Sequence, residues 1–125
     1  MSIGELVDLP LLLPGPTHTI RKVVEQAFQH DYEQAPVVAE VESVTLMAQA
    51  VQNGLGATVL PLTVARRIMS VANLELRRIT PAIEIQVSLG TPANQPLSAP
   101  AEAVREVLRT VVADYIAKSA QRDAQ

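Results

Sequence analysis

The chain has 125 residues, of which 48% are hydrophobic, yet it contains only one Phe, two Tyr and no Trp. This length and composition predict one domain, or one large subdomain, with an aliphatic core. The formal charge of −3 argues against a nucleic-acid-binding surface, and the lack of cysteine excludes disulfide and thiolate chemistry. The sequence shows neither a leader of the secretory type nor an apolar run long enough to span a membrane, so we expect a cytoplasmic chain.

The first third of the chain alternates between predicted strands and helices. A helical turn at Ile3 to Asp8 precedes a strand at Leu11 to Leu13, which Pro14 ends. Thr17 is a suitable N-cap for the next helix. The apolar positions of that helix recur at helical spacing and are Ile20, Val23, Val24, Ala27 and Phe28. A second apolar strand is predicted at Val37 to Val41.

The central stretch predicts a helix, a tight turn and a buried strand. Ser43 is a good N-cap, because its hydroxyl can accept from an amide in the first helical turn. The apolar face of the helix consists of Val44, Met47, Ala48 and Val51. Asn53 and Gly54 end the helix, since both tolerate the left-handed conformation of a C-terminal cap. Ala57 to Leu60 is short and apolar enough for an interior parallel strand.

The remaining chain predicts three further elements on either side of a junction at Thr80-Pro81. Thr63 to Met69 is a short helix, and Leu74 to Arg77 alternates like an edge strand. The alternation of strands and helices up to this point predicts an α/β fold, with a parallel or mixed sheet flanked by helices. Beyond the junction, Ile83 to Leu89 alternates strictly between apolar and polar residues and predicts a strand.

Ser98 opens a long helix near the C-terminus. Seven apolar positions recur along one of its faces: Val104, Val107, Leu108, Val111, Val112, Tyr115 and Ile116. An exposed apolar face of this size usually marks an interface. Such a segment must either fold back on the preceding residues or bind another chain, and we expect Ile83 to Ile116 to bind another copy of the chain.

Three short motifs carry a resemblance to a known family. Glu42-Ser43, Gly54-Leu55-Gly56 and Leu60-Pro61 have the spacing of a strand, an apolar helix, a Gly-x-Gly turn and a second strand. This pattern resembles the effector-binding domain of LysR-type transcriptional regulators. The segments VESVTLMAQAV and GATVLP are most similar to the nitrogen assimilation control branch of that family. The resemblance extends from Ile3 to Ala117.

The resemblance implies a domain of two α/β lobes, similar to type 2 periplasmic binding proteins. In that arrangement residues 1–80 form the second lobe, and residues 81–125 are the returning strand and helix of the first lobe. The winged helix-turn-helix and most of the first lobe would lie outside this sequence. Contact with DNA would then be made only through the N-terminal winged helix-turn-helix domain. The expected partner of this chain is a small-molecule effector.

Polar residues near the ends of the predicted strands indicate where an effector would bind. Ligands of open α/β sheets bind at the carboxyl ends of the strands, and a helix start suits a carboxylate or phosphate. The resemblance also implies effector contacts at this edge. The predicted site consists of Pro14, Thr17, Ser43, Val44, Thr45, Gly56 and Thr58. The alternative is that Ser43 and Thr17 act only as helix caps.

Other candidate motifs favour structural explanations. His30-Asp31 lacks further ligands at metal-binding spacing, and His18 fits a solvated first-turn residue better than a residue at a cleft mouth. Gly54-Leu55-Gly56 precedes a strand and lacks the third glycine of a dinucleotide motif. The pairs Arg66-Arg67 and Arg77-Arg78 fit a solvated surface. We therefore expect no catalytic residue, no metal, no cofactor and no enzymatic activity.

Two functions of different class remain open. The first is a regulatory, ligand-sensing and oligomerisation domain of a LysR-type DNA-binding transcriptional regulator. The alternative is an oligomerisation or interaction module of such a regulator that needs no effector. A solute-binding receptor is a third possibility, disfavoured because no secretory leader is present.

Overall fold

The computed structural model describes residues 1–29, 34–69 and 73–123, with side chains described as far as residue 118. The described elements are α1 (Ile3–Leu6), β1 (Leu11–Leu13), α2 (Thr19–Gln29), β2 (Val37–Glu40), α3 (Val44–Gln52), α4 (Leu62–Met69) and α5 (Ala99–Asp123). The chain divides into two compact units, Met1–Gln86 and Val87–Gln125. The first unit contains both strands and four helices, which confirms the predicted α/β class in its coarse form.

The sheet of the first unit is built on β1. Strands β1 and β2 are parallel, with Leu11 opposite Val37. On the other side of β1, the Leu12 N–H donates to the Ala57 carbonyl oxygen and the Ala57 N–H donates to the Pro10 carbonyl oxygen, both at 2.8 Å. β1 therefore has hydrogen-bonded neighbours on both sides.

The predicted strand Ala57 to Leu60 is wrong in extent, because it is reduced to one parallel bridge between Ala57 and Leu11. Alternate residues of a strand direct their N–H groups to the same side. After Leu12, the next residue that would donate to this neighbour is therefore Pro14, which directly follows β1. Proline has no N–H, so it cannot continue the hydrogen-bonded ladder.

The two faces of β1 are covered by different helices. The core cluster of buried residues consists of Leu6, Leu11, Leu13, Val24 and Phe28. Val24 and Phe28 belong to the predicted apolar stripe of α2, which confirms that α2 faces the core. Leu12 is also buried but lies outside this cluster, and α3, which contacts β1, buries Met47 and Ala48. Because successive strand side chains alternate between faces, α3 is the element that covers the side of Leu12.

The helix α3 ends as the sequence predicts. Gly54 has a φ of 76°, and its N–H donates to the Val51 carbonyl oxygen at 2.9 Å. The Leu55 N–H donates to the Ala50 carbonyl oxygen at 3.0 Å. These two hydrogen bonds form a Schellman motif, in which a left-handed residue satisfies the last carbonyl groups of the helix.

We expect Gly54→Val to lower the free energy of unfolding by about 1 kcal/mol or more, because a β-branched residue is strained at this φ. No atom lies within 4 Å of the position that a Cβ would take, so the expected loss comes from the backbone and not from a clash. Urea denaturation measures the change. Gly90→Val is the matched control, because Gly90 has equally open surroundings and lacks a positive φ. An unchanged midpoint for Gly54→Val would contradict the prediction.

Two other predicted strands are also wrong, since Leu74 to Arg77 and Ile83 to Leu89 are not strands in the structure. The alternation is nevertheless visible in burial, because Ile83 and Ile85 are half-buried whereas Glu84 is exposed. A strand needs a neighbour for its backbone hydrogen bonds. Within the described ranges, neither segment is paired with such a neighbour.

The boundary between the units lies after Gln86, six residues beyond the predicted junction at Thr80-Pro81. Ile83 explains the difference, because it packs against the core cluster of the first unit. A junction motif such as Thr80-Pro81 shows where the chain turns. It does not show which side chains after the turn still contact the preceding core.

The second unit contains the long helix α5. Ser98 caps it as predicted, since the Ala101 N–H donates to the Ser98 Oγ at 3.4 Å. All seven apolar residues of the predicted face are exposed, from 43% for Leu108 to 62% for Val107. The apolar face of α5 is therefore not covered by the other described residues of the second unit.

Candidate functional site

The carboxyl ends of β1 and β2 lie at one edge of the sheet, because the two strands are parallel. The Val41 N–H donates to the carbonyl oxygen of the last β1 residue at 2.9 Å, so pairing continues to this edge. We call residues 14–15 and 41–45 the carboxyl edge. The structure brings Pro14, which is buried, and Ser43, which is exposed, to this same edge. Both are predicted effector-binding residues.

The peptide group between Pro14 and Gly15 is hydrogen-bonded on both sides by charged side chains. Its carbonyl oxygen accepts from the Arg21 Nη1 at 3.3 Å, and its N–H donates to the Glu42 Oε1 at 2.8 Å. The Arg21 side chain is only 12% exposed and also pairs with Glu25, one turn further along α2. Hydrogen bonds to charged partners are stronger than neutral ones, so the orientation of this peptide group is well determined.

Glu42→Ala is expected to lower the free energy of unfolding by about 1–2 kcal/mol, because the buried Gly15 N–H loses its acceptor. Glu42→Gln keeps an oxygen at the same position, so we expect a loss of less than about 1 kcal/mol. Urea denaturation of both variants measures the two changes. Glu84→Ala controls for the loss of an exposed carboxylate elsewhere in the first unit. Coincident curves for Glu42→Ala and wild type would mean that another acceptor replaces the carboxylate.

The start of α3 presents three predicted site residues at the carboxyl edge. Ser43 is the N-cap, and its Oγ accepts from the Leu46 N–H at 3.4 Å, which confirms the predicted cap. Ser43, Val44 and Thr45 are all exposed. The first amides of a helix lack partners within the helix and carry a partial positive charge. This end of α3 can therefore accept an anionic or hydrogen-bonding group.

Thr17 does not cap α2, and that part of the prediction is wrong. The helix begins at Thr19, and the Ile20 N–H donates to the His18 Nδ1 at 3.2 Å. The His18 carbonyl oxygen also accepts from the Lys22 N–H at 3.1 Å. His18 thus takes the capping position, because the turn after β1 is one residue longer than the sequence suggests. Thr17 remains exposed in that turn, and its contact with an effector stays a prediction.

Gly56 and Thr58 are not brought to the carboxyl edge. Gly56 lies against Pro10, which precedes β1, so it is at the opposite edge of the sheet. The Thr58 hydroxyl lies 2.7 Å from the Met47 Sδ and donates to it. The parallel register aligns Ala57 with the first residue of β1, so Gly56 lies away from Ser43, and effector contacts of Gly56 and Thr58 stay predictions.

The described residues contain no group of three side chains that could hold a metal ion. His30 and Asp31 lie outside the described ranges. His18 is exposed at a helix start, and Arg77 is exposed and pairs with Glu75 at 2.7 Å. Among the helices that the structure describes, none has both the length and the apolar character needed to cross a bilayer.

A family model described as the LysR substrate binding domain matches residues 1–113. The chain belongs to this family. It is 36% identical over 99 residues to the nitrogen assimilation regulatory protein nac of Klebsiella aerogenes, and 32% identical over 99 residues to the protein of the same name in Escherichia coli (strain K12). Each alignment covers 78% of this chain and 32% of the relative, so the chain spans about a third of their length. No solved structure gives a significant match.

These matches confirm the resemblance to LysR-type regulators and to the nitrogen assimilation branch. Both relatives are regulatory proteins, which agrees with the expectation that this LysR substrate-binding domain is not an enzyme. A periplasmic-binding-protein-like α/β fold follows from the family. The observed two-stranded parallel sheet with flanking helices is a small part of such a fold.

Two charged residues of this LysR substrate-binding domain were missed by sequence reasoning. Arg21 and Glu42 contact the same peptide group, although 21 residues separate them. In the sequence, Glu42 is distinguished only as part of the motif Glu42-Ser43. Its position directly before a helix cap was a usable signal, since a carboxylate there lies close to backbone donors. Arg21 gave a weaker signal, the spacing to Glu25 that pairs opposite charges along one helix face.

Proposed function

We propose that this chain is part of the ligand-sensing domain of a cytoplasmic LysR-type transcriptional regulator, with residues 1–80 belonging to the second lobe of a type 2 periplasmic-binding-protein-like domain. Residues 81–125 would be the returning segment of the first lobe. DNA would be bound through a separate N-terminal domain. The observation that carries the proposal is the family match together with a carboxyl edge where Ser43 opens α3.

The sensing role would use the carboxyl edge as one wall of the effector site. The exposed hydroxyl of Ser43 and the first amides of α3 offer donors to a small polar or anionic group. A ligand that binds one arrangement of the lobes more tightly shifts the population toward it. Such a shift would change how the regulator assembles on DNA.

We expect Ser43→Ala and Ser43→Gly to separate capping from effector binding in the full-length regulator. As a cap, alanine should cost about 1 kcal/mol of stability and glycine only a few tenths. If Ser43 also contacts effector, both variants should weaken binding about tenfold, the equivalent of one lost hydrogen bond. A thermal-shift panel of small molecules identifies the effector, and calorimetry then measures affinity and stability on the same samples. Full affinity in both variants would restrict Ser43 to capping.

We also propose self-association through the segment from Ile83 to Ile116. The support is the apolar face of α5, whose seven residues are each at least 43% exposed. Light scattering at tens of micromolar, on the order of the dissociation constants of ordinary protein interfaces, tests self-association. Leu108→Glu with Val111→Glu should yield monomer, whereas Thr110→Glu, on the polar side of α5, should not. A wild-type monomer at these concentrations would refute self-association and leave the sensing proposal standing.

A further inference from the structure

The N–H of Gly15 is a backbone donor at the edge of the sheet where α/β proteins bind ligands. Its partner in this structure is a carboxylate of the same chain, the Glu42 Oε1 at 2.8 Å. Gly15 is buried, whereas Glu42 is an exposed residue whose side chain reaches inward to the amide. A Cβ on Gly15 would lie 2.9 Å from that oxygen. Glycine therefore leaves the space that an approaching carboxylate needs.

Arg21 makes this donor stronger. Its Nη1 lies 3.3 Å from the Pro14 carbonyl oxygen, which belongs to the same peptide group as the Gly15 N–H. A cation at the carbonyl oxygen polarises the peptide group, so that its N–H binds an anion more tightly. The Arg21 side chain is 12% exposed, and its charge is shared with Glu25 and Glu40, with which it also pairs.

We propose that the Glu42 carboxylate occupies the position of an effector carboxylate, and that an anionic ligand binds the Gly15 N–H only by displacing Glu42. This inference rests on the proposed sensing function and adds to it the chemical class of the ligand and an internal competitor. The competitor raises the ligand concentration at which the site fills. It also keeps the Pro14–Gly15 peptide group hydrogen-bonded when no ligand is present.

Acetate, the simplest carboxylate, tests the proposal on the full chain. In Glu42→Ala the Gly15 amide is released, and acetate should shift its ¹H–¹⁵N resonance saturably. We expect half-saturation at roughly 10–100 mM, the range for one charge-assisted hydrogen bond. In wild type the same resonance should not move at equal ionic strength in chloride and acetate, because Glu42 holds the position. Acetate should also raise the melting temperature of Glu42→Ala but not that of wild type.

Two further variants define the position. Glu42→Gln keeps the acceptor but loses the charge, so it should stay folded and bind acetate more weakly than Glu42→Ala. Adding Gly15→Ala to Glu42→Ala places a methyl group 2.9 Å from the position of the acetate oxygen, closer than ordinary van der Waals contact, and should weaken binding at least several-fold. Glu84→Ala should behave as wild type.

Three outcomes would overturn the proposal. The first is a Gly15 resonance that does not respond to acetate in either Glu42 variant. The second is an equal response in wild type and the variants. The third is acetate binding that Gly15→Ala leaves unchanged. Each of them would leave effector binding by the full-length regulator intact, because the Ser43 variants test that function independently.

Discussion

Replacing Phe28 by alanine is expected to lower the free energy of unfolding by about 3–5 kcal/mol. The side chain is fully buried and belongs to the cluster that joins α2 to β1 and α1. Its neighbours in that cluster are aliphatic, so no other large ring can fill the space that its loss would create. A loss of this size is a large fraction of the stability of a small domain.

Urea denaturation followed by far-UV circular dichroism measures the effect of Phe28→Ala. Phe28→Leu keeps most of the volume and should cost less than about 2 kcal/mol. Val38→Ala is the matched control for a shortened apolar residue, because Val38 is 60% exposed and should change stability by less than about 0.5 kcal/mol. If Phe28→Ala lost no more than Val38→Ala, the position of this ring in the core would be wrong.

Gly56→Ala is expected to lower the free energy of unfolding by at least about 3 kcal/mol, combining steric overlap with backbone strain. The added Cβ would lie 2.2 Å from the Pro10 carbonyl oxygen, a steric clash that can be relieved only if the backbone moves. That oxygen accepts from the Ala57 N–H, so the movement would break the bridge between Ala57 and β1. The φ of 156° adds strain for any residue with a side chain.

Gly54→Ala and Gly90→Ala are the controls for this prediction. Both positions are open within 4 Å, but only Gly54 has a positive φ. Gly54→Ala should therefore cost about 1 kcal/mol, and Gly90→Ala close to nothing. The expected order of loss is Gly56, then Gly54, then Gly90. A loss for Gly56→Ala no larger than that for Gly54→Ala would show that the chain after α3 can move away from Pro10 freely.

Both large predictions concern β1, which also positions the candidate site. Phe28 holds α2, and with it Arg21, on one face of β1. Gly56 allows the chain after α3 to pair with the first residue of β1. The Pro14–Gly15 peptide group follows the last residue of the same strand, so its position depends on both contacts. We therefore expect substitutions at Phe28 and Gly56 to weaken ligand binding at the carboxyl edge by displacing the Pro14–Gly15 peptide group. Neither residue would need to contact the ligand itself.

The sequence by itself determined the local features of this protein. The apolar stripe of α2, the caps at Ser43 and Ser98, and the left-handed Gly54 were all predictable. Each depends on residues within about one helical turn, where periodicity and hydrogen-bonding capacity are set by the chain itself. The family motifs are equally local, which is why the LysR resemblance was visible from residues 42 to 61.

The tertiary structure alone decided which distant groups meet. It reduced the strand after Gly56 to one bridge, placed Gly56 at the opposite edge from Ser43, and directed Arg21 and Glu42 to one peptide group. A strand forms only where another backbone supplies matching donors and acceptors, and Pro14 lacks the N–H that would extend the pairing. Residue spacing cannot show which side chain reaches a given backbone group, because that depends on how the helices pack on β1.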